Sequence, residues 1–403
     1  MKNKEVTDFQ AHTPELRQLY SRHSSKWRRF SADVLPMHVA EMDFEIAEPI
    51  RSQLARMVTE SDLGYLGPVP EVAAAFEKFA ASRWGWKIDP TQLKLATDVG
   101  VATVEYLRAN LQPGERVVIT SPVYSGFFEW LKELDIEPFD VPLAHTEHGW
   151  RLDLGGLEQA FAQGHLTLLL CNPHNPVGRA FDRQELTALA ELAARYGATV
   201  ISDEIHAPLT YGEFVPYLSC GNAAEQTGVV ITSSSKSWNL AGLKAAFLLT
   251  QSAPMAAKVA KLPPATHWRT SIPGAFSMAT AYSEGVEWLD TTLEVLDDTA
   301  EAAQKSAALI TNKKRPRLTK VTGKVKTTKT GRTTRLKRPI TKAAIRAAPK
   351  PCTSTPLSML AKAMRAVAQS NHFKISFMCS ENSTAPRHRY DAPPYGLHSH
   401  HRP

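Results

Sequence analysis

The sequence predicts an α/β fold, a doubly wound domain spanning about residues 70 to 250. Short β-branched apolar runs recur there, helical patterns separate them, and loops rich in Asn, Asp, His, Ser and Lys follow three of the runs. Runs that are apolar at nearly every position belong in a parallel sheet covered on both faces.

In chain order, the first 45 residues carry no sustained period and are expected to form an extended arm. A helical pattern runs from Glu71 to Trp84. Strands are expected at Arg116 to Thr120, Leu166 to Cys171, Thr199 to Ser202, Val229 to Thr232 and Lys244 to Thr250. The helix predicted over Arg183 to Tyr196 has clear ends: Asp182 as its cap, Glu185 at the capping-box position, and Gly197 after the last turn. A long helical pattern begins near Gly274 and continues through Trp288, Leu289, Leu293 and Leu296.

Charge divides the chain. Residues 299 to 403 hold 22 Lys and Arg against 3 acids, which leaves 25 of the 47 cations and 37 of the 40 acids in residues 1 to 298. The window from Lys313 to Lys350 has fifteen cations, no acid and no useful period, so it is expected to stay disordered in isolation. No stretch approaches the roughly 20 apolar residues of a membrane-spanning helix, and no apolar core follows the charged N-terminus. Cys171, Cys220, Cys352 and Cys379 are scattered, as free thiols in a reducing compartment would be. The expected location is the cytoplasm.

Three segments sit at or after expected strand ends, where open α/β sheets bind ligands: CNPHNPVG (171 to 178), SDEIHAPL (202 to 209) and SSSKSWNLAGLK (233 to 244). Each alone reads as a turn, a cap or a surface lysine. Their occurrence in this order, with TDVGVAT (97 to 103) upstream as a candidate phosphate-holding turn, weighs against those separate readings.

These residues resemble the fold-type I pyridoxal-phosphate superfamily, which includes aminotransferase classes I and II. Within it they resemble the MalY/PatB-type C-S lyases, the cystathionine β-lyases. LPMHVAEMDF (35 to 44), GYLGP (64 to 68), SPVYSGFF (121 to 128) and GVEWLD (285 to 290) extend the resemblance over roughly residues 14 to 298. It implies a mostly parallel seven-stranded sheet flanked by helices. It also implies pyridoxal 5'-phosphate as cofactor, an amino-acid substrate and a homodimer. The organisation expected is an arm at 1–45, a cofactor-binding large domain at 46–285, a linking helix at 286–312 and a basic tail at 313–403.

By resemblance, Lys236 is the amine that condenses with the cofactor aldehyde and later removes the substrate Cα proton. Asp203 keeps the ring nitrogen protonated, Asn175 bonds the ring hydroxyl and Tyr124 stacks on the ring. His206 stands three after Asp203, where aminotransferases usually carry Tyr; that leans towards the lyases, although an ordinary structural hydrogen bond explains a buried His nearly as well. The amides of Val101 and Ala102, with Ser233, Ser235 and Lys244, are assigned to the phosphate. Lys at the last position keeps the charge of the aminotransferase Arg but not its fork. Tyr65 matches a residue that reaches the neighbouring subunit's phosphate.

The pattern fails after about Asp298. The small C-terminal domain and its carboxylate-clamping Arg, in a segment like RLNF or RxNxG, have no match, and nothing around Arg332, Arg335 or Arg338 resembles one. The simultaneous switch in charge and periodicity suggests a change of reading frame near Thr299. The tail could also bind nucleic acid non-specifically, and LHSHHRP (397 to 403) is a poor metal site. The activity expected is β-elimination from cystathionine or a related S-substituted cysteine, giving thiol, pyruvate and ammonia. The alternatives are an aminotransferase, a catalytically impaired product, or, least favoured, a regulatory protein.

Overall fold

The computed structural model describes residues 13–312 apart from His148, with the backbone alone for residues 301–312. The strands are β1 (Leu93–Ala96), β2 (Val117–Ile119), β3 (Pro138–Asp140), β4 (Ala144–Thr146), β5 (Gly149–Arg151), β6 (Thr167–Cys171), β7 (Thr199–Asp203), β8 (Gly228–Thr232) and β9 (Ala246–Leu249). Seven of them form one sheet in the order β1-β9-β8-β7-β6-β2-β3, and β4 with β5 makes a separate hairpin. From β8 to β3 all pairings are parallel, whereas β9 runs antiparallel to both β8 and β1.

Helices α1 (Leu16–Tyr20), α2 (Ser25–Arg28), α3 (Glu48–Thr59) and α4 (Pro70–Trp84) precede the sheet. Within it come α5 (Val99–Asn110), α6 (Ser125–Glu133), α7 (Leu154–Ala162), α8 (Arg183–Tyr196) and α9 (Asn222–Thr227). After it follow α10 (Ala253–Ala260), α11 (Ala265–Trp268), α12 (Ile272–Glu284) and α13 (Val286–Asn312).

Period-two alternation along the buried strands builds two cores. Leu168, Leu170, Val200, Phe247 and Leu249 face one; Leu169, Cys171, Ile201, Ala246 and Leu248 face the other. The first contains an aromatic cluster in which Phe76 lies 4.7 Å from Phe247 and 5.1 Å from Tyr282, and Trp238 lies 5.1 Å from Tyr282.

The five expected strands all form, and β1 and β3 join them at the two edges. Three expectations need correction. The arm is not simply extended: α1 and α2 interrupt it, and Lys26 and Trp27 both reach Asp43 Oδ1, at 3.0 and 3.2 Å. The helical pattern from Gly274 is two helices, because Gly285 breaks it and its carbonyl accepts the Trp238 indole N–H at 2.8 Å. A Cβ there would meet that indole at 2.6 Å, so the crossing needs glycine. The capping box of α8 is half formed: Asp182 Oδ1 accepts the Glu185 amide at 2.9 Å, but the Glu185 carboxylate turns away to the Leu152 amide and to Arg151 and Arg179.

Among the described residues no helix is long and apolar enough to cross a membrane, and no cluster of metal-ligating side chains forms. Cys171 and Cys220 are buried free thiols. The basic stretch, Cys352, Cys379, Arg332, Arg335, Arg338 and LHSHHRP lie outside the described residues.

Candidate active site

Parallel pairing in register sets Cys171 beside Asp203 and Asp203 beside Ile231, so β6, β7 and β8 end together at one sheet edge. The three sequence segments leave the sheet there as adjacent loops. They open on a cavity of about 510 Å³. Lys236, Asp203, Asn175, Tyr124, His206, Ser235 and Lys244 all line it.

Lys236 sits in a tight turn: the Trp238 amide donates to Ser234 O at 3.0 Å and the Leu240 amide to Ser235 O at 3.0 Å. Fully buried Trp238 pins this turn into the aromatic cluster, so the amine is presented from a fixed base. Burial holds the Lys236 ammonium below its ordinary range, against the opposing pull of Asp203 and Glu41. A readily deprotonated amine is what carbonyl condensation needs.

Asp203 ends β7 almost fully buried. Burial raises its carboxyl to about 7, although the Ile205 amide and Lys236 pull the other way. Oδ1 accepts the Ile205 amide at 3.2 Å. A buried acid at the cavity suits a cationic partner such as a protonated ring nitrogen.

Asn175 lies in a loop closed by the His174 to Arg179 bridge, and its amide donates to Cys171 Sγ at 3.3 Å. Tyr124 caps α6 with its ring 5.9 Å from Trp130, which also lines the cavity; burial and then Asp203 raise its hydroxyl. His206 is buried at the start of a short turn over Ala207–Leu209.

The start of α5 arranges its amides in two pairs. The Val101 amide donates to Asp98 Oδ1 at 2.8 Å and the Ala102 amide to Asp98 O at 2.9 Å, so α5 already uses both. Val99 and Gly100 line the cavity instead, and theirs are the first two amides of α5, which have no intrahelical acceptor. The motif is legible in sequence, but its register depends on where Asp98 starts the helix. Ser233 lies just beneath the cavity, with Oγ 2.6 Å from Ser235 Oγ and from Ala245 O. Tyr65 does not reach the cavity; it is 95% exposed.

Sequence reasoning missed the arm's contribution: His38, Val39 and Ala40 form a wall. It also missed Trp130, Ile205 and Asp98. The segment LPMHVAEMDF carried the signal, but nothing in its pattern tells which of its residues turn inward.

As a donor set, these groups fit an aldehyde-bearing pyridine phosphate: one amine, one buried acid, a side-chain amide, an aromatic face, and serine, lysine and free helix amides for an anion. Among the described residues, no arginine lines the cavity.

Known proteins bear on the same region. Cystathionine beta-lyase of Corynebacterium glutamicum is 34% identical over 291 residues, 72% of this chain and 77% of its own. Cystathionine beta-lyase PatB of Bacillus subtilis is 32% identical over 280 residues, 68% of this chain and 71% of its own. The crystal structure of cystalysin from Treponema denticola, which contains a pyridoxal 5'-phosphate cofactor, superposes with a TM-score of 0.67 at 25% identity, covering 73% of this chain and 76% of that one. The sequence pattern of the family described as aminotransferase class I and II matches residues 33–313, and the chain belongs to that family.

Proposed function

We propose that this chain is a pyridoxal-phosphate-dependent carbon-sulfur β-lyase that cleaves cystathionine or a related S-substituted cysteine to a thiol, pyruvate and ammonia. The observation that carries the reading is the pairing, in one cavity, of an amine whose charge burial disfavours with a buried acid at the end of a central strand: Lys236 and Asp203. Lys236 would hold the cofactor, with Asp203, Asn175, Tyr124 and His206 around its ring and Ser233, Ser235, Lys244 and the α5 amides at its phosphate. When bound, pyridoxal phosphate supplies an electron-accepting ring that makes the Cα proton of an amino acid removable. Lys236 Nζ, depressed by burial, takes that proton. Asp203 stays anionic opposite a cation, and Tyr124 with Trp130 lines one side of the cavity.

Incubation with cystathionine and an assay of pyruvate tests the reading. Amino transfer that requires a keto acid and releases no pyruvate overturns it in favour of an aminotransferase.

A second reading has two observations behind it: among the described residues the cavity lining lacks an arginine for the substrate carboxylate, and the family match stops at residue 313. A frame change near Thr299 would remove that arginine and leave an impaired enzyme. Translation of the gene in the other two frames beyond this point checks it; the absence of an RxNxG-like segment in both sinks it. The exposed Tyr65 ring suits a homodimer in which it reaches the partner's phosphate, and a cytoplasmic site of action suits the free thiols.

A further inference from the structure

We propose that Asn239 is a positioning residue for the cavity, holding the arm wall formed by His38, Val39 and Ala40 against the turn that carries Lys236. The proposal rests on the lyase reading for what enters the cavity, and on geometry for the rest.

Asn239 follows Lys236 by three residues, and its amide donates to Lys236 O at 3.4 Å. Its side chain grips the arm backbone at Met42 from both sides: the Met42 amide donates to Asn239 Oδ1 at 2.9 Å, and Asn239 Nδ2 donates to Met42 O at 2.9 Å. The two residues are 197 apart in sequence. A primary amide is the side chain that can donate and accept in this way, so neither Asp nor Leu reproduces the grip. Asn239 has φ of 59°, a left-handed conformation that Asn and Gly tolerate and most residues do not.

The arm itself is stiffened around the same point. Lys26 Nζ donates to Glu41 O at 2.7 Å and to buried Asp43 Oδ1 at 3.0 Å, and Arg22 donates to Asp43 O at 3.2 Å. These bonds shape the segment, but they come from the arm. Asn239 links that preformed piece to the lysine turn, so residues 38 to 40, immediately before it, keep a fixed distance from the amine. A wall held this way sets substrate position without touching the substrate.

The test uses Asn239→Gly, which keeps the left-handed backbone and deletes the grip. It should retain bound cofactor, by visible absorbance and by borohydride labelling of Lys236. Loss of two hydrogen bonds should raise KM for cystathionine about tenfold while kcat changes by less than about threefold. Hydrogen exchange at the Met42 amide should accelerate by a similar factor, with or without cofactor. Asn239→Asp, which keeps an acceptor for the Met42 amide and loses the donor, should fall between Gly and wild type, and it stands in if the Gly variant does not fold. Wild-type KM with wild-type Met42 exchange in either variant overturns the proposal, as does a fall in kcat at constant KM. If wild-type protein takes up no label at Lys236, the lyase reading fails, and Met42 exchange still decides whether Asn239 holds the arm.

Discussion

Asp98 divides its carboxylate between a helix and a lysine: Oδ1 accepts the Val101 amide at 2.8 Å, and Oδ2 lies 3.2 Å from Lys244 Nζ. An acid therefore stands beside the cation proposed for the phosphate. Lys244 is more than half exposed and holds φ of 55°. Such an exposed pair is worth at most about 1 kcal/mol, so the cap is the more important of the two contacts for stability.

Asp98→Ala should accordingly destabilise the protein by about 1 kcal/mol through loss of the cap. Asp98→Asn keeps a capping oxygen and should stay within a few tenths of a kcal/mol of wild type. Removing the carboxylate also removes a like charge beside the phosphate, so the Asn variant should bind pyridoxal phosphate several-fold more tightly. Chemical denaturation and cofactor titration check the two halves separately, and weaker cofactor binding by the Asn variant would contradict the electrostatic half.

Gly274 controls the same lysine from behind. It opens α12, where Ser271 Oγ accepts its amide at 3.2 Å, and a Cβ there would land on the carbonyl oxygen of Leu243, the residue before Lys244. Backbone cannot swing aside as a side chain can. Gly274→Ala should cost about 1–3 kcal/mol by overpacking and should loosen the cofactor as well, because relief requires the Leu243 to Lys244 turn to move. Thermal melts with and without pyridoxal phosphate would show a larger loss in the loaded protein.

The central sheet is legible in the sequence because β6, β7 and β8 are buried on both faces and read as unbroken apolar runs. Edge strands β1 and β3 are not: LKLA and PFD are too short and too mixed to stand out. The loops carrying Asn175, Asp203 and Lys236 are legible because parallel strands release their C-terminal loops at one shared sheet edge. The inward turn of His38 to Ala40 is hidden, since it depends on bonds between Met42 and Asn239 that no local pattern records. The first two α5 amides, which border the cavity, lie two residues before the pair that the motif suggests for a related reason, a cap geometry fixed by one side chain.

Lys236→Ala should abolish covalent retention of pyridoxal phosphate and lower pyruvate release by roughly 10³-fold or more, since it removes both the attachment point and the base. Stability should be hardly changed, because the amine it deletes is one that burial disfavours in its charged form. Borohydride reduction followed by peptide mapping reads the attachment point directly. A label on another lysine, or unaltered turnover, would contradict the assignment.

Asp203 gives the cofactor-free protein a pH dependence with a definite sign. Burial raises its carboxyl from an ordinary 3.8 to about 7, so the folded state holds this proton more tightly than the unfolded chain. The stability this contributes is fully present below pH 3.8 and is lost as pH rises through about 7. Its upper bound is on the order of 4 kcal/mol. Glu204, buried next to it and raised to about 8, acts with the same sign. Cofactor-free wild-type protein should therefore lose stability between about pH 4 and 8 by these two groups. Asp203→Asn cannot ionise and should show a shallower decline, with the remaining slope displaced towards the Glu204 titration. A cationic ring nitrogen beside Asp203 would lower its pKa, so saturating pyridoxal phosphate should flatten the wild-type curve and leave that of the Asn variant nearly unchanged. Denaturation midpoints across this range, with and without cofactor, decide the matter; parallel curves for the two proteins would mean that Asp203 is already ionised in the empty cavity.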